Sequence, residues 1–218
     1  MLKLKMDRPA DSLYRILCLG AHCDDIEIGC GGTMLDMLDR YDNVSVDWVV
    51  FSSDDVRARE ARDCASAFLR RARESEVVVK NYRDGFFPFL GDQIKEEFEQ
   101  LKRKFNPDLV FTHFRDDRHQ DHRLISDLTW NTFRDHFILE YEVPKYDGDL
   151  GQPNVFVPLE ESIYSKKIQN IVGIFRSQQG KPWFDERTFL AILRLRGIEC
   201  RAPRSYAEAF YCRKAVLG

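Results

Sequence analysis

Short apolar runs alternate along the chain with stretches whose apolar residues recur every three or four positions. Ile16 to Leu19, Val44 to Ser52, Val77 to Val79 and Leu109 to Phe111 have the length and composition of buried strands. Between them lie three apolar stripes of helical period: Met34, Leu35, Met37 and Leu38; Ala61, Cys64, Ala65, Phe68 and Leu69; and Ile94, Phe98 and Leu101. The spacing predicts helices over 31–41, 57–71 and 92–105, with a fourth over 124–135. Asp42-Asn43 and Asn106-Pro107 end two of these periods, and Ser52-Ser53-Asp54-Asp55 offers capping side chains to another. Strand and helix alternating four times is the pattern of a mostly parallel sheet with helices on both faces, so the expected fold class is α/β and Rossmann-like.

The last third is less regular. Ile138 to Val143, Val155 to Val157 and Tyr206 to Cys212 read as strands, and 160–176 and 186–197 as helices. A single domain over 1–218 is expected, about 13–137 forming the α/β core and 138–218 a smaller C-terminal extension. A loop rich in Pro, Gly and Asp (144–154) would form a rim, and residues 1–12 a polar lead-in. The aromatic stretch Phe86-Phe87-Pro88-Phe89 is assigned to the core rather than to a pocket wall.

Composition narrows the classes. At 218 residues and 44% hydrophobic the chain can bury a real core. With 33 basic against 36 acidic residues nothing pulls it toward nucleic acid or a membrane surface, and no apolar run approaches a span. The N-terminus does not read as a secretory signal, so a soluble, cytoplasmic protein is expected. Six scattered cysteines with no Cys-x-x-Cys argue against both a disulfide framework and a thiolate metal site; Cys18 and Cys212 are expected to be buried.

The candidate chemistry sits where strands end. Directly after the first strand come His22, Asp24 and Asp25, then Gly29, Gly31 and Gly32. Glycines before a helix could cradle a phosphate, but the paired carboxylates in front would repel one. The aspartates could cap the helix, yet one cap needs one acceptor. Past the fourth strand stands His119-Gln120-Asp121-His122. In a parallel sheet the loops after neighbouring strands meet at the carboxyl edge, and the first and fourth strands are often neighbours where the order reverses. Two such clusters on one edge point to a metal. Two imidazoles and one carboxylate suit zinc and leave positions open for water and substrate. A further carboxylate can accept the water's proton, and a further imidazole can steady an oxyanion or protonate a leaving group. That set of parts describes amide hydrolysis.

Ala21-His22-Cys23-Asp24-Asp25-Ile26-Glu27 with Gly31-Gly32-Thr33, together with His119-Gln120-Asp121-His122, resembles the LmbE-like (PIG-L) zinc-dependent N-deacetylases. Those enzymes remove acetyl from N-acetylglucosamine conjugates in thiol-cofactor, glycolipid and antibiotic pathways. The resemblance implies one zinc per chain on His22, Asp25 and His122. It implies Asp24 as general base, His119 as the oxyanion-stabilising or acid residue, and Asp121 behind His119. Arg57-Ala58-Arg59-Glu60 looks like the family's Arg-x-x-Glu helix start, in which Arg57 contacts substrate. Ser177-Gln178 and Tyr206-Ala207-Glu208-Ala209-Phe210 look like its C-terminal features. Cys23 departs from the family, which usually has Pro there. His113 either lines the substrate pocket or is a structural histidine at a strand end. The implied substrate is a small N-acetyl sugar or glycoconjugate, and a homo-oligomer is left open. Two other classes fit the same residues: a sugar- or nucleotide-binding module without turnover, and a metal-dependent phosphoesterase, which would usually want more carboxylates for a second ion.

Overall fold

The computed structural model describes residues 12–216; all of the expected lead-in but Ser12 lies outside them. Strands and helices alternate as β1 (Tyr14–Gly20), α1 (Asp25–Arg40), β2 (Val44–Val50), α2 (Asp55–Phe68), β3 (Glu74–Val79), α3 (Gly91–Lys104), β4 (Leu109–His113), α4 (Gln120–Thr132) and β5 (Phe137–Tyr141). Then follow β6 (Val155–Pro158), α5 (Glu161–Ile174), α6 (Glu186–Glu199) and β7 (Ala207–Tyr211). All seven strands join one sheet in the order β3-β2-β1-β4-β5-β7-β6. β1 to β5 run parallel, and β7 lies antiparallel between β5 and β6. The strand order reverses between β1 and β4, so the loops leaving these two strands open onto one crevice.

Alternation along β1 divides the core. Ile16 and Cys18 face a layer that includes residues of α1, α2 and α5, while Leu17 and Leu19 face α3 and α4. Phe87 belongs to the second layer, but Phe86 and Phe89 do not: they are 37% and 79% exposed. The aromatic stretch is thus split, because a 3₁₀ turn over Phe87–Leu90 turns successive rings to different sides. Cys212 is likewise only half-buried, lying just past the end of β7.

Two helices begin a full turn or more earlier than their apolar periods predict, and both carry candidate chemistry on the added residues. α4 starts at Gln120 rather than 124, with His119 as its N-cap. α1 starts at Asp25 rather than 31, so Gly29, Gly31 and Gly32 lie inside a helix. Glycine weakens an isolated helix, yet each of these three is needed for close approach. A Cβ on Gly29 would run into the Tyr141 ring, one on Gly31 would stand 2.6 Å from Phe68, and one on Gly32 2.6 Å from Leu159.

The sheet carries one charge in a poor setting. Asp47 on β2 sits opposite Glu76 on β3, and burial together with that like charge pushes its pKa up to about 6. An unfolded Asp titrates near about 4, so from about pH 4 to 6 the folded chain holds the extra proton and its stability falls as pH rises. Asp47→Asn is expected to raise the melting temperature at about pH 7.5 and to raise it much less at about pH 4.5. Equal gains at both pH values would show that Asp47 is not the titrating group.

Candidate metal centre

β1 ends at Gly20 and delivers His22, Asp24 and Asp25 to the crevice; β4 ends at His113 and delivers His119, Asp121 and His122 to the same place. Asp24 occupies the N-cap position of α1 but makes no side-chain capping bond, so capping does not account for it. Asp25 instead folds back, its Oδ2 accepting the His22 backbone N–H at 2.6 Å.

Three side chains converge. His22 Nδ1 lies 3.1 Å from His122 Nε2 and 3.3 Å from Asp25 Oδ2, and His122 Nε2 lies 3.5 Å from Asp25 Oδ1. Ligands held about 2.0–2.1 Å from a tetrahedral ion stand about 3.3 Å apart, close to each of these separations, although the two histidines meet different oxygens of Asp25. His119 and Asp84 widen the donor set: ligand atoms of His22, His119 and His122 lie within 4.8 Å of one another, as do those of His22, Asp84 and Asp121. The cluster fits a metal ion on its donor chemistry and its spacing.

Surrounding groups fix these donors. His122 Nδ1 pairs with Asp117 Oδ2 at 2.9 Å, and Lys145 Nζ donates to the same oxygen at 2.9 Å. Asp117 Oδ1 also accepts the His119 backbone N–H at 2.7 Å. Lys145 belongs to the 144–154 loop, which therefore reaches the site through Asp117. On the other side His22 Nε2 stands 3.0 Å from Asp84 Oδ1 and 3.4 Å from Asp121 Oδ2.

The charge balance explains the titration behaviour. Burial disfavours a proton on His22, but Asp25, Asp121 and Asp84 outweigh it and raise its pKa well above the usual value. Burial and the neighbouring His113 hold His122 down at about 3, as a neutral imidazole. Burial works against the charge on Asp25 too, yet His122, His113 and His22 hold its carboxyl well below the usual range. Burial raises the Asp24 pKa, an effect that Arg57 opposes. The cluster thus attracts positive charge into a site almost closed to water.

Two of the expected roles meet different neighbours. The Asp121 carboxylate accepts the backbone N–H groups of Gly85 at 2.7 Å and Phe87 at 3.1 Å, so it pins the loop before α3 rather than the His119 ring. What His119 does receive from Asp121 is its backbone N–H, at Nδ1 and 3.3 Å. His113 is wholly buried, and with Asp25 and His122 it forms a further group of close donor atoms, its Nε2 3.3 Å from Asp25 Oδ2. Its Nε2 accepts the Ala21 N–H at 2.9 Å and lies 3.3 Å from the Tyr141 hydroxyl, while its ring stacks on His122 with centroids 3.9 Å apart. It joins the end of β4 to the end of β1.

Arg57 reaches Asp24 Oδ1 at 3.0 Å, leaving Asp24 Oδ2 and its own Nε without a partner. Asp54 caps α2 through the Val56 and Arg57 N–H groups, which sets the start of that helix. One turn on, Glu60 accepts the Ser177 N–H at 2.9 Å and so ties α2 to the segment after α5. The Cys23 thiol points away from the donors, to Ser52 O at 3.2 Å, and burial pushes its pKa up to about 12.

A family model described as PIG-L, GlcNAc-PI de-N-acetylase, matches residues 17–133, more than half of the chain and all of the donors described above. The chain belongs to the PIG-L family. No curated protein matches the chain. Among solved structures, the conserved protein TT1542 from Thermus thermophilus superposes with a TM-score of 0.75 at 19% identity, over 94% of this chain and 97% of that one. The N,N'-diacetylchitobiose deacetylase from Pyrococcus horikoshii, complexed with its inhibitor MPG, gives 0.68 at 21%, over 95% and 86%. GalB, the 4-carboxy-2-hydroxymuconate hydratase from Pseudomonas putida, gives 0.73 at 15%, over 94% and 98%. At such identities these likenesses concern the PIG-L fold alone. No helix among the described residues is long and apolar enough to cross a membrane.

Asp117, Asp84 and Lys145 escaped the sequence reading, although Asp117 stands only five residues before His122. A carboxylate that orients an imidazole ligand typically matters about 10–100-fold to metal affinity. If the cluster holds a metal ion, Asp117→Ala is expected to weaken its binding by about that factor in a chelator competition, the chain staying folded by circular dichroism. Wild-type affinity in the variant would remove Asp117 from the site.

Proposed function

We propose that this protein is a zinc-dependent amidohydrolase that removes acetyl from an N-acetylated sugar of the N-acetylglucosamine type or from its conjugate. The observation that carries the reading is the convergence of His22 Nδ1, His122 Nε2 and the Asp25 carboxylate, with an unpartnered Asp24 oxygen beside it. His22, Asp25 and His122 would hold a single ion: the donor group of His22, His119 and His122 shares His122 with the group that contains Asp25 and His22 with the group that contains Asp84, so the three are contiguous. Bound there, zinc would lower the pKa of a water and polarise the acetyl carbonyl.

The remaining residues divide the work. Asp24 takes the proton of the attacking water on Oδ2, the oxygen that Arg57 leaves free. His119 accepts a backbone N–H at Nδ1, so its neutral ring carries the proton on Nε2. Burial and the nearby His22 lower its pKa and favour that neutral form. Nε2–H then donates to the developing oxyanion, or passes its proton to the departing amine. Arg57 steadies Asp24 and keeps its Nε–H for a hydroxyl or phosphate of the substrate. The family model's description as a de-N-acetylase supports this choice among the reactions open to such a site.

Acetate release from a panel of N-acetylglucosamine derivatives, with metal-stripped and zinc-restored protein side by side, tests the reading. Zinc-dependent acetate from any member is the expected result. Zinc uptake without acetate would favour another chemistry on the same fold, such as the addition of water to a carbon–carbon double bond. Asp24→Asn is expected to keep its zinc and lose about 100-fold or more in kcat; undiminished turnover would remove Asp24 as the base.

A further inference from the structure

Away from the donors, one ionic pair is buried against α1. Lys167 of α5 and Glu208 of β7 approach to 2.6 Å, each side chain only 2% exposed. Neither bonds to the other alone. Lys167 Nζ also donates to the Ile28 carbonyl at 2.6 Å, and the Glu208 carboxylate accepts the Gly32 N–H at 2.7 Å and the Thr33 N–H at 2.6 Å. Ile28 and Gly32 are one helical turn apart, so the pair grips α1 on both sides of a single turn. Gly32 has no side chain to spare there, since a Cβ would stand 2.8 Å from Glu208 Oε1.

A buried pair of this kind is a weak source of stability, because desolvation consumes much of the attraction and an apolar pair of equal volume often does as well. What it supplies is fixed geometry. From Ile28 the linkage runs on: the Ile28 N–H donates to the Asp24 carbonyl at 3.0 Å. Asp25, the next residue, closes onto His22 and His122. The first turn of α1 is thus anchored from inside the protein through two successive hydrogen bonds.

We propose that Lys167 and Glu208 are positioning residues for the metal centre: by fixing the Ile28 carbonyl they set where Asp24 and Asp25 stand relative to the two histidines. The proposal rests on the reading of the donors as a zinc site. It places the control of that site on two residues of the C-terminal part of the chain, neither of which touches a donor.

The test uses Lys167→Met and the double variant Lys167→Met with Glu208→Gln, which leaves no uncompensated charge inside. Zinc affinity is measured by chelator competition at a temperature where circular dichroism shows each protein folded, and the visible spectrum of the cobalt-loaded protein reports the ligand geometry. Zinc binding is expected to weaken about tenfold or more in both variants, with a shifted cobalt spectrum, even where the double variant regains thermal stability. Wild-type zinc affinity and spectrum in the double variant would overturn the proposal and leave the pair a merely structural one; so would a double variant unable to fold. A wild-type protein that takes up no zinc would instead sink the reading of the site, and this proposal with it.

Discussion

The close approach of α1 to its neighbours is the constraint on which the site depends. An ordinary helix packs its side chains against a sheet and stands off by their length. Here Gly29, Gly31 and Gly32 remove that distance on three sides, against Tyr141, Phe68, and the pair Leu159 and Glu208. Each glycine costs roughly 1 kcal/mol of helix propensity relative to alanine. The return is a helix whose first turn is held by packing and by backbone contacts rather than by a cap, and it is on that turn that Asp24 and Asp25 sit.

Tyr141 shows how the constraint spreads. Its ring occupies the space that Gly29 leaves, while its hydroxyl donates to the Leu19 carbonyl at 2.6 Å and lies 3.3 Å from His113 Nε2. His113 in turn stacks on His122 and lies 3.3 Å from Asp25 Oδ2. β1, β4, β5 and α1 therefore meet through a few buried side chains directly beneath the donors. The crowding of imidazoles and carboxylates is tolerable because most of them have a partner of opposite character, and because a cation would complete the set.

Local pattern made much of this legible. Apolar runs marked the first four parallel strands and the helical periods the helices between them. However, β3, expected to be buried, is an edge strand that is at most half-buried, and β5, read with the less regular last third, is a fifth parallel strand. Two polar clusters at strand ends, about a hundred residues apart, implied a shared crevice, and the β1–β4 pairing brings them together. Where intrinsic preference and tertiary packing disagreed, the pattern misled. The glycine-rich start of α1 is helix from Asp25 onward, because close approach outweighed propensity. Three neighbouring phenylalanines with the composition of core were divided, because a 3₁₀ turn sent Phe86 and Phe89 to solvent.

By itself the sequence determined the strand and helix succession and the kinds of side chain at the crevice, since both follow from local composition and spacing. Only the tertiary structure decided who faces whom. Asp117 backs His122, Asp121 holds the Gly85–Phe87 loop, and His113 is buried under the donors. Lys167 and Glu208 reach α1 from 139 and about 175 residues away along the chain. Such pairings depend on strand order, register and the depth at which helices pack, and none of these is a property of a short stretch of chain.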